Sequence, residues 1–312
     1  MIIVTGGAGF IGCNLVRGLN GAGEKDILVV DDLTDGSKFR NLNDCDISDY
    51  WDITELDRFL DQRRTFPAKP TALFHQGACT VTTERDGRYM MQNNYTCSKQ
   101  LLHYCLGNQI PFIYASSGSV YGTGRSFVEA ADHESPVNVY GYSKYLFDMH
   151  VRKHALSAPG RSQVVGLRYF NVYGPHEQHK QSMASVMFHF NKQILASGSI
   201  RLFRGSGGFA NGEQRRDFVH VDDVVSANLW FLQNTGVSGI FNIGTGVSRS
   251  FNDVAREVIR WHGRGQIEYI DFPQELRDSY QSFTEADLGA LRAAGYRQEF
   301  TPLEAEIGRA HV

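Results

Sequence analysis

A glycine-rich loop near the start of the chain restricts its possible folds more than any other feature. Residues 1–5 form a short apolar run that predicts a buried strand, and residues 11–19 have the periodicity of a helix. Glycines in the intervening loop allow a tight turn and let the backbone approach a pyrophosphate, which the amino terminus of the next helix attracts. The loop fits both GxGxxG and GxxGxxG and reads Gly6-Gly7-Ala8-Gly9-Phe10-Ile11-Gly12. This succession of strand, loop and helix predicts a dinucleotide-binding fold.

A second predicted strand, residues 27–30, ends in two carboxylates, Asp31 and Asp32. A carboxylate about 20 residues after the glycine loop is placed to accept hydrogen bonds from the adenosine ribose, which favours NAD. Lys38 and Arg40 follow closely and are able to neutralise the 2′-phosphate of NADP instead. Charge alone therefore leaves the choice between NAD and NADP open.

The middle of the chain alternates predicted strands and helices, which favours a parallel, doubly wound sheet. Predicted strands end near residues 47, 76, 115 and 168, and predicted helices cover residues 53–60, 86–106 and 140–154. After Pro175 this regular alternation of strands and helices changes. We therefore expect an α/β fold, a Rossmann-type doubly wound parallel sheet with a smaller, discontinuous α/β substrate-binding domain. The expected boundaries are 1–172 plus 217–246 for the dinucleotide-binding domain and 173–216 plus 247–312 for the substrate-binding domain.

Tyr140 and Lys144 form the pattern with the clearest chemical meaning. Residues four apart lie on one face of a helix, so the phenol and the ammonium are expected to be neighbours. A nearby cation favours the phenolate, and a shift of about three pKa units corresponds to about 4 kcal/mol. A phenolate at neutral pH is able to act as a general base. Ser117 follows a predicted strand, at the edge where parallel sheets bind ligands, and is therefore placed to meet a substrate oxygen.

Composition indicates an ordinary globular protein with a small partner. The net charge is −3, so we expect neither nucleic acid nor an anionic membrane as a partner. No apolar run approaches the roughly 20 residues of a membrane-spanning helix. Five cysteines without a CxxC pair favour free thiols in a reducing, cytoplasmic location. We expect no metal site, because His176 and His179 lack an obvious third ligand.

Taken together, the motifs resemble those of a known family. The glycine loop, Ser117 and the Tyr140-x-x-x-Lys144 pattern resemble the extended short-chain dehydrogenases/reductases that act on nucleotide sugars. Within that family the chain is similar to the ADP-L-glycero-D-manno-heptose 6-epimerases. The stretches that carry this similarity are Gly77-Ala78-Cys79, Tyr89-Met90-Met91, Asn93-Asn94-Tyr95, Asn138 to Lys144, Arg168 to Pro175 and His179-Lys180-x-Ser182-Met183-Ala184-Ser185.

The resemblance implies contacts to a cofactor and to a nucleotide sugar. NADP is the implied cofactor. NAD is the alternative, because Asp32 stands where an amide is common and Ile53 replaces a lysine associated with the cofactor phosphate. The implied cofactor contacts are Gly6, Gly9, Phe10, Ile11, Gly12, Asp31, Asp32, Lys38, Gln76, Gly77, Ala78, Cys79, Thr80, Asn93, Lys144, Val172 and Lys180. The implied substrate contacts are Ser117, Asn171, Ser182, His189, Phe203, Arg204, Gly205, Ser206, Arg216 and Tyr280.

The resemblance also implies a reaction, the epimerisation of ADP-D-glycero-D-manno-heptose at C6″ in lipopolysaccharide core heptose biosynthesis. The C6″ alcohol would be oxidised transiently to a ketone. The implied catalytic residues are Tyr140, Lys144, Ser117 and Lys180, with Tyr140 and Lys180 as acid/base groups on opposite sides of the sugar. A homo-oligomer, expected to be a pentamer, is implied as well. Two alternatives stay open, a UDP-hexose 4-epimerase and a non-catalytic dinucleotide-binding sensor or scaffold.

The end of the chain carries a separate expectation. The last seven residues equal a plausible in-frame translation of sequencing-adapter DNA, so we expect a truncated reading frame; they are Glu306-Ile307-Gly308-Arg309-Ala310-His311-Val312.

Overall fold

A seven-stranded sheet is the centre of the structure, a computed structural model that describes residues 1–157, 162–274 and 280–307. Its strand order is β10-β6-β5-β4-β1-β2-β3, and every neighbouring pair is parallel. The strands of the described chain are β1 (Ile2–Thr5), β2 (Ile27–Asp31), β3 (Asp49–Asp52), β4 (Ala72–His75), β5 (Phe112–Ser117), β6 (Val164–Tyr169), β7 (Asn171–Tyr173), β8 (Ser199–Phe203), β9 (Arg215–His220), β10 (Gly239–Ile243), β11 (Ser248–Ser250) and β12 (Gln266–Ile270).

Helices cover both faces of this sheet. Strand residues alternate between two apolar cores, since Val4 packs into one and Ile3 into the other. Helices α1 and α7 close the first core, and α2, α4 and α5 close the second. The helices are α1 (Phe10–Gly21), α2 (Ile53–Asp61), α3 (Gly87–Met91), α4 (Cys97–Asn108), α5 (Val139–Val151), α6 (Val186–Ser197), α7 (Val221–Gln233), α8 (Phe251–His262), α9 (Gly289–Ala293) and α10 (Leu303–Glu306). The predicted doubly wound parallel sheet is confirmed.

The strand order places the ligand-binding crevice. The chain runs outward from β1 through β2 and β3 on one side, and through β4, β5, β6 and β10 on the other. Ligands of open parallel sheets bind beyond the carboxyl ends of the strands where this direction changes, which here is between β1 and β4. The glycine loop follows β1 and Gln76 follows β4, so both border the crevice.

Two local predictions are wrong. The third strand is β3, whereas the predicted residues 44–47 lie in a loop, because their polar groups bind α1: Asp44 pairs with Arg17, and the backbone of Asp46 bonds Asn20. The helix predicted over residues 86–106 is interrupted, since a π-helical turn (Gln92–Thr96) separates α3 from α4. Such turns shift the phase of a helix and occur frequently at functional sites.

The remaining strands and helices build a second lobe. Strands β7, β9 and β11 form a three-stranded sheet, and β8 pairs in parallel with β12. A separate core forms where α6 packs on α8, through Phe190, Ile194, Val254 and Val258. The predicted domain boundaries stay a prediction. Residues 308–312 of the carboxyl-terminal heptapeptide lie outside the described residues.

Within the described ranges, no helix combines the length and the apolar character needed to cross a bilayer.

A buried ionic network joins β5, β6 and α5 directly behind the crevice. The guanidinium of Arg168 is fully buried and donates to Asp148 (2.9 Å), Glu134 (2.6 Å) and the hydroxyl of Tyr121 (3.0 Å). Asp148 also accepts hydrogen bonds from Tyr114 and Ser116. Because every charge in the network is paired and hydrogen-bonded, it locks the helix that carries Tyr140 to the strand that carries Ser117.

Replacing the central cation should therefore destabilise the fold strongly. We expect Arg168→Leu to lower the free energy of unfolding by about 3–5 kcal/mol, because it leaves the buried carboxylates of Asp148 and Glu134 short of a counter-ion. Urea denaturation at neutral pH measures this change. The control Lys25→Ala removes an exposed pair with Asp46 and should leave the unfolding midpoint nearly unchanged. An equal loss of stability in the two variants would contradict the role of Arg168 as the central cation of the network.

Candidate active site

A cavity of about 440 Å³ opens at the carboxyl edge of the main sheet. It lies between the ends of β5 and β6, the starts of α1 and α5, and residues of the second lobe. The four predicted catalytic residues Ser117, Tyr140, Lys144 and Lys180 all border it. The fold thus brings one group from the second lobe, Lys180, to the same space as the three groups on β5 and α5.

The glycine loop leaves the first backbone amides of α1 open to a ligand. Gly6 has φ +68°, and a Cβ on Gly12 would lie 2.0 Å from the carbonyl oxygen of Gly6, so the loop packs on the helix only without side chains there. Gly9 caps α1 and offers no capping side chain. Free amides at a helix amino terminus attract phosphate, and this geometry therefore fits a dinucleotide pyrophosphate.

Asp31 is bound within the protein on both of its oxygens. One oxygen accepts from the backbone amide of Ala8 (2.7 Å), and the other accepts from the ammonium of Lys38 (2.5 Å). The carboxylate is buried and is neutralised by Lys38. Asp31 therefore ties the glycine loop to β2. Its ion pair holds Lys38 where the adenosine ribose of the cofactor was predicted.

The loop after β4 is held by amide side chains. Asn94 is fully buried, accepts from the amide of Cys79 (2.8 Å) and donates to its carbonyl oxygen (2.9 Å). Its neighbour Asn93 is exposed and donates to the carbonyl of Tyr89. The anchoring asparagine is thus Asn94; the sequence did not distinguish it from Asn93, because the π-helical turn sets which of the two faces inward. The contact of Asn93 with the cofactor stays a prediction.

Ser117 and Tyr140 both line the cavity. Asn138 caps α5 by accepting from the amide of Gly141 (2.8 Å), which fixes the first turn that carries Tyr140. Burial raises the pKa of Tyr140 above its ordinary value, and the nearby hydroxyl of Ser117 opposes this rise. The predicted lowering of this pKa by Lys144 is therefore wrong for the protein on its own.

Lys144 is buried and points to the backbone of β5. Its ammonium donates to the carbonyl of Ala115 (2.9 Å), and its side chain is almost inaccessible to solvent. Burial lowers the pKa of Lys144 to about 8, although Asp148 one turn later acts in the opposite direction. The side chain therefore exchanges its proton close to neutral pH.

Lys180 reaches the cavity from a short 3₁₀ helix (Gln178–Met183) in the second lobe. Its ammonium lies 4.9 Å from the ring centre of Phe10, the first residue of α1. Burial lowers the pKa of Lys180, and the charge of Glu177 opposes the change. A lysine with a lowered pKa is suited to proton transfer.

Arg216 is a buried cation without a carboxylate partner among the described residues. It is 7% exposed, and its guanidinium lies 4.9 Å from the ring centre of Tyr280 and 5.8 Å from that of Phe251. Burial lowers its pKa. A planar cation held between aromatic rings at a cavity wall is suited to bind a diphosphate through several parallel hydrogen bonds.

The predicted contact residues divide into two groups. In the cavity wall, besides the catalytic four, are Phe10, Ile11, Gln76, Ala78, Thr80, Asn171, Val172, Ser182, Arg216 and Tyr280. Outside the wall are Gly6, Gly9, Gly12, Asp31, Asp32, Lys38, Gly77, Cys79, Asn93, His189, Phe203, Arg204, Gly205 and Ser206. Phe203 lies behind the wall: its ring contacts that of Phe272, which in turn contacts the ring of Tyr280. The roles of both groups stay predictions.

Sequence reasoning missed wall residues from the last part of the chain. Gln281 donates to the carbonyl of Gly122 (2.6 Å) and lines the cavity beside Thr284. Phe251 at the start of α8 lines it too. No motif or spacing marks these residues, because their positions depend on how the carboxyl-terminal segment returns across the cleft.

Residues 2–244 match the NAD dependent epimerase/dehydratase family. The chain belongs to this family. Membership and the glycine-loop geometry together make the crevice a nicotinamide-dinucleotide site.

Individual relatives span nearly the whole chain. The ADP-L-glycero-D-manno-heptose-6-epimerase of Alkalilimnicola ehrlichii is 55% identical over 309 residues, which are 98% of this chain and 95% of that protein. The crystal structure of the Helicobacter pylori ADP-L-glycero-D-manno-heptose-6-epimerase is 30% identical, with a TM-score of 0.82 over 99% of this chain and 94% of that one. The Thermus thermophilus UDP-glucose 4-epimerase, solved with NAD, is 26% identical, with a TM-score of 0.80 over 99% and 97% of the two chains.

The close packing of the glycine loop on α1 predicts a sharp response to a single methyl group. Gly12→Ala places a Cβ against the carbonyl of Gly6 and should weaken dinucleotide binding at least about tenfold, a loss of about 1.4 kcal/mol. Titration of NADPH fluorescence measures the dissociation constant. Gly21→Ala, in the last turn of the same helix, adds a methyl group in open space and should bind as the unmodified protein does. Unchanged binding by Gly12→Ala would refute the pyrophosphate assignment.

Proposed function

We propose that this protein converts ADP-D-glycero-D-manno-heptose to its L-glycero epimer at C6″, in lipopolysaccharide core heptose biosynthesis. The observation that carries the proposal is that Tyr140 and Lys180, two acid/base candidates from different lobes, border one cavity. The relative from Alkalilimnicola ehrlichii, 55% identical, supports the choice of substrate by its name.

Epimerisation at C6″ needs temporary oxidation, because the hydrogen on that carbon is not acidic. Oxidation removes a hydride from C6″ and a proton from its oxygen, and reduction returns the hydride to the opposite face of the carbonyl carbon and a proton to the oxygen. A nicotinamide dinucleotide bound along the glycine loop would supply the acceptor and donor for this hydride, and its positive charge in the oxidised form would favour the phenolate of Tyr140. The protein itself supplies the proton transfers and the orientation of the sugar.

Tyr140 acts on the first face of the sugar in this scheme. As a phenolate it takes the proton of the C6″ hydroxyl, while Ser117, in the same cavity wall, holds the reacting oxygen. Lys144 lies one helical turn away and keeps its ammonium form below its pKa of about 8. It therefore adds positive charge beside the phenolate under neutral conditions.

Lys180 acts on the other face. After reduction the oxygen lies on the side away from Tyr140, so a second group has to exchange its proton there. Lys180 is held against Phe10 and has a lowered pKa, which makes it able to give a proton and take it back.

Arg216 is the proposed anchor for the diphosphate of the substrate. Its unpaired guanidinium and the flanking rings of Tyr280 and Phe251 offer charge and flat apolar surface together. The remaining predicted substrate contacts, including His189 and the stretch from Phe203 to Ser206, would complete the site on the second lobe.

NADP is the proposed cofactor, and Lys38 is the residue that supports it. Lys38 neutralises Asp31, whose second oxygen is already bound by the amide of Ala8. The carboxylate of Asp31 is therefore poorly placed to repel a 2′-phosphate, and the ammonium of Lys38 beside it would attract one. We further propose a cytoplasmic homo-oligomer, a pentamer as the resemblance implies, which sedimentation equilibrium would test.

The substrate assignment is tested directly with the purified protein. Incubation with ADP-D-glycero-D-manno-heptose and one equivalent of NADP should yield the L-glycero epimer, followed by NMR of the C6″ proton. UDP-galactose offered in parallel should remain unchanged. Conversion of UDP-galactose alone would identify a UDP-hexose 4-epimerase, and tight cofactor binding without any turnover would favour a non-catalytic sensor or scaffold.

The two-base scheme predicts a selective defect in a lysine variant. Lys180→Met should reduce epimerisation at least about 1,000-fold, since general acid/base groups contribute about 10²–10⁴-fold. The D-glycero substrate should still reduce the bound cofactor through Tyr140, seen as absorbance at 340 nm. Lys192→Met removes an exposed lysine of the same lobe and should leave both activities intact. Full turnover by Lys180→Met would exclude the scheme.

The cofactor proposal predicts a change in preference. Lys38→Ala should raise the dissociation constant of NADPH about tenfold and that of NADH by less than about twofold, because only NADPH carries the 2′-phosphate. Lys25→Ala, which removes an exposed cation elsewhere on the same lobe, should change neither constant. Equal weakening of both cofactors by Lys38→Ala would argue against a phosphate contact.

A further inference from the structure

The segment that carries Lys180 is held in a strained conformation. His176 has φ +73° and Gln181 has φ +49°, so a residue with a side chain adopts a left-handed backbone on each side of Lys180. Such conformations cost free energy and persist where the surroundings determine them. The contacts around this segment therefore decide where Lys180 is placed.

One set of contacts closes the segment on its own lobe. The carboxylate of Glu177 is buried and accepts from the hydroxyl (2.6 Å) and the backbone amide of Ser185. The backbone amide of Lys180 donates to the carbonyl of Glu177 (3.0 Å). These bonds make a compact loop, but they leave its orientation toward the other lobe undefined.

Two buried asparagines attach the loop to the dinucleotide-binding lobe. Asn14 donates to the carbonyls of Phe10 (2.9 Å) and Pro175 (3.1 Å). Asn41 donates in the same way to the carbonyl of Ala8 (2.9 Å) and to the imidazole Nδ1 of His179 (3.1 Å), and it is 5% exposed.

The amide of Asn41 has only one satisfactory orientation. If its oxygen and nitrogen were exchanged, its oxygen would face the carbonyl oxygen of Ala8, and two acceptors would meet. The two protons of the amide nitrogen are therefore shared between Ala8 and His179. This makes His179 the acceptor at Nδ1, with its proton on Nε2.

We propose that Asn41 is a positioning residue for Lys180 and acts through His179. The bridge links the carbonyl of Ala8, inside the glycine loop, to the residue directly before Lys180. The location of the second acid/base group is thereby tied to the loop that holds the dinucleotide. This inference rests on the proposed function, because it presumes that Lys180 exchanges a proton with the substrate.

The bridge acts on one half of the reaction. Tyr140 and Ser117 are carried by α5 and β5, which the bridge does not touch, whereas Lys180 depends on it. Since a misplacement of about 1 Å can cost about 100-fold in rate, loss of the bridge should slow only the step that uses Lys180. That step is oxidation of the L-glycero epimer.

Stopped-flow absorbance at 340 nm with each epimer tests this asymmetry. In Asn41→Ala, the rate at which the D-glycero epimer reduces the bound cofactor should stay within about twofold of the rate in the unmodified protein. The rate with the L-glycero epimer should fall about 100-fold. His179→Ala removes the other end of the same bridge and should show the same asymmetry, which keeps the test decisive if Asn41→Ala fails to fold. The double variant should be no slower than either single variant, since one bridge cannot be broken twice.

A matched asparagine provides the control. Asn20 also donates from its amide to two backbone carbonyls in the same lobe, those of Glu24 and Asp46, but it has no contact with the Lys180 segment. Asn20→Ala should leave both half-reactions within about twofold. Equal slowing with both epimers, additive effects in the double variant, or no effect of either single variant would overturn the inference. If the unmodified protein reduces its cofactor with neither epimer, the proposed function fails first and the inference fails with it.

Discussion

Three cations, two of them buried and one half-buried, surround one cavity, and none has a carboxylate within ion-pair distance among the described residues. Lys144, Lys180 and Arg216 come from α5, from the 3₁₀ helix of the second lobe and from β9. Burial lowers the pKa of each. Moving a charge out of water costs several kcal/mol, so this arrangement opposes folding unless the rest of the chain compensates. Its benefit is a positive potential along the cavity wall, which attracts anions.

A fourth cation differs from these three because carboxylates surround it. Arg168 is as deeply buried as Arg216, but two carboxylates and a tyrosine hydroxyl surround it. Its charge is used entirely within the protein, where it fixes α5 to the end of β6. The same residue type thus has a structural role where carboxylates of the fold surround it, as at Arg168, and is available for the proposed diphosphate contact where they do not, as at Arg216. The rigid support under Ser117 and Tyr140 depends on the first arrangement.

The two lobes meet through backbone geometry as much as through side chains. The carboxyl ends of the parallel strands lie at one edge, which explains why β5 and β6 both end at the cavity. Lys180 arrives from outside this sheet, on a loop strained at His176 and Gln181. The amide side chains of Asn14 and Asn41 hold that loop against the dinucleotide-binding lobe, which therefore also orients Lys180, the proposed second acid/base group. Asn14 and Asn41 join these separate stretches of chain, because the amide of each donates both to residues of the glycine loop and α1 and to residues of the Lys180 loop.

Local patterns in the sequence determined the strand-loop-helix at the amino terminus, the doubly wound sheet and the identity of the catalytic candidates. These follow from glycine spacing, apolar periodicity and residue chemistry, which are properties of neighbouring residues. Tertiary structure alone decided that Asn94 rather than Asn93 faces inward, that β3 begins at Asp49, and that Gln281 lines the cavity. It also decided the direction of the pKa shift of Tyr140, because desolvation by burial raises this pKa more than the nearby hydroxyl of Ser117 lowers it. Burial and long-range contact depend on the whole folded chain, and a short stretch of sequence contains no record of them.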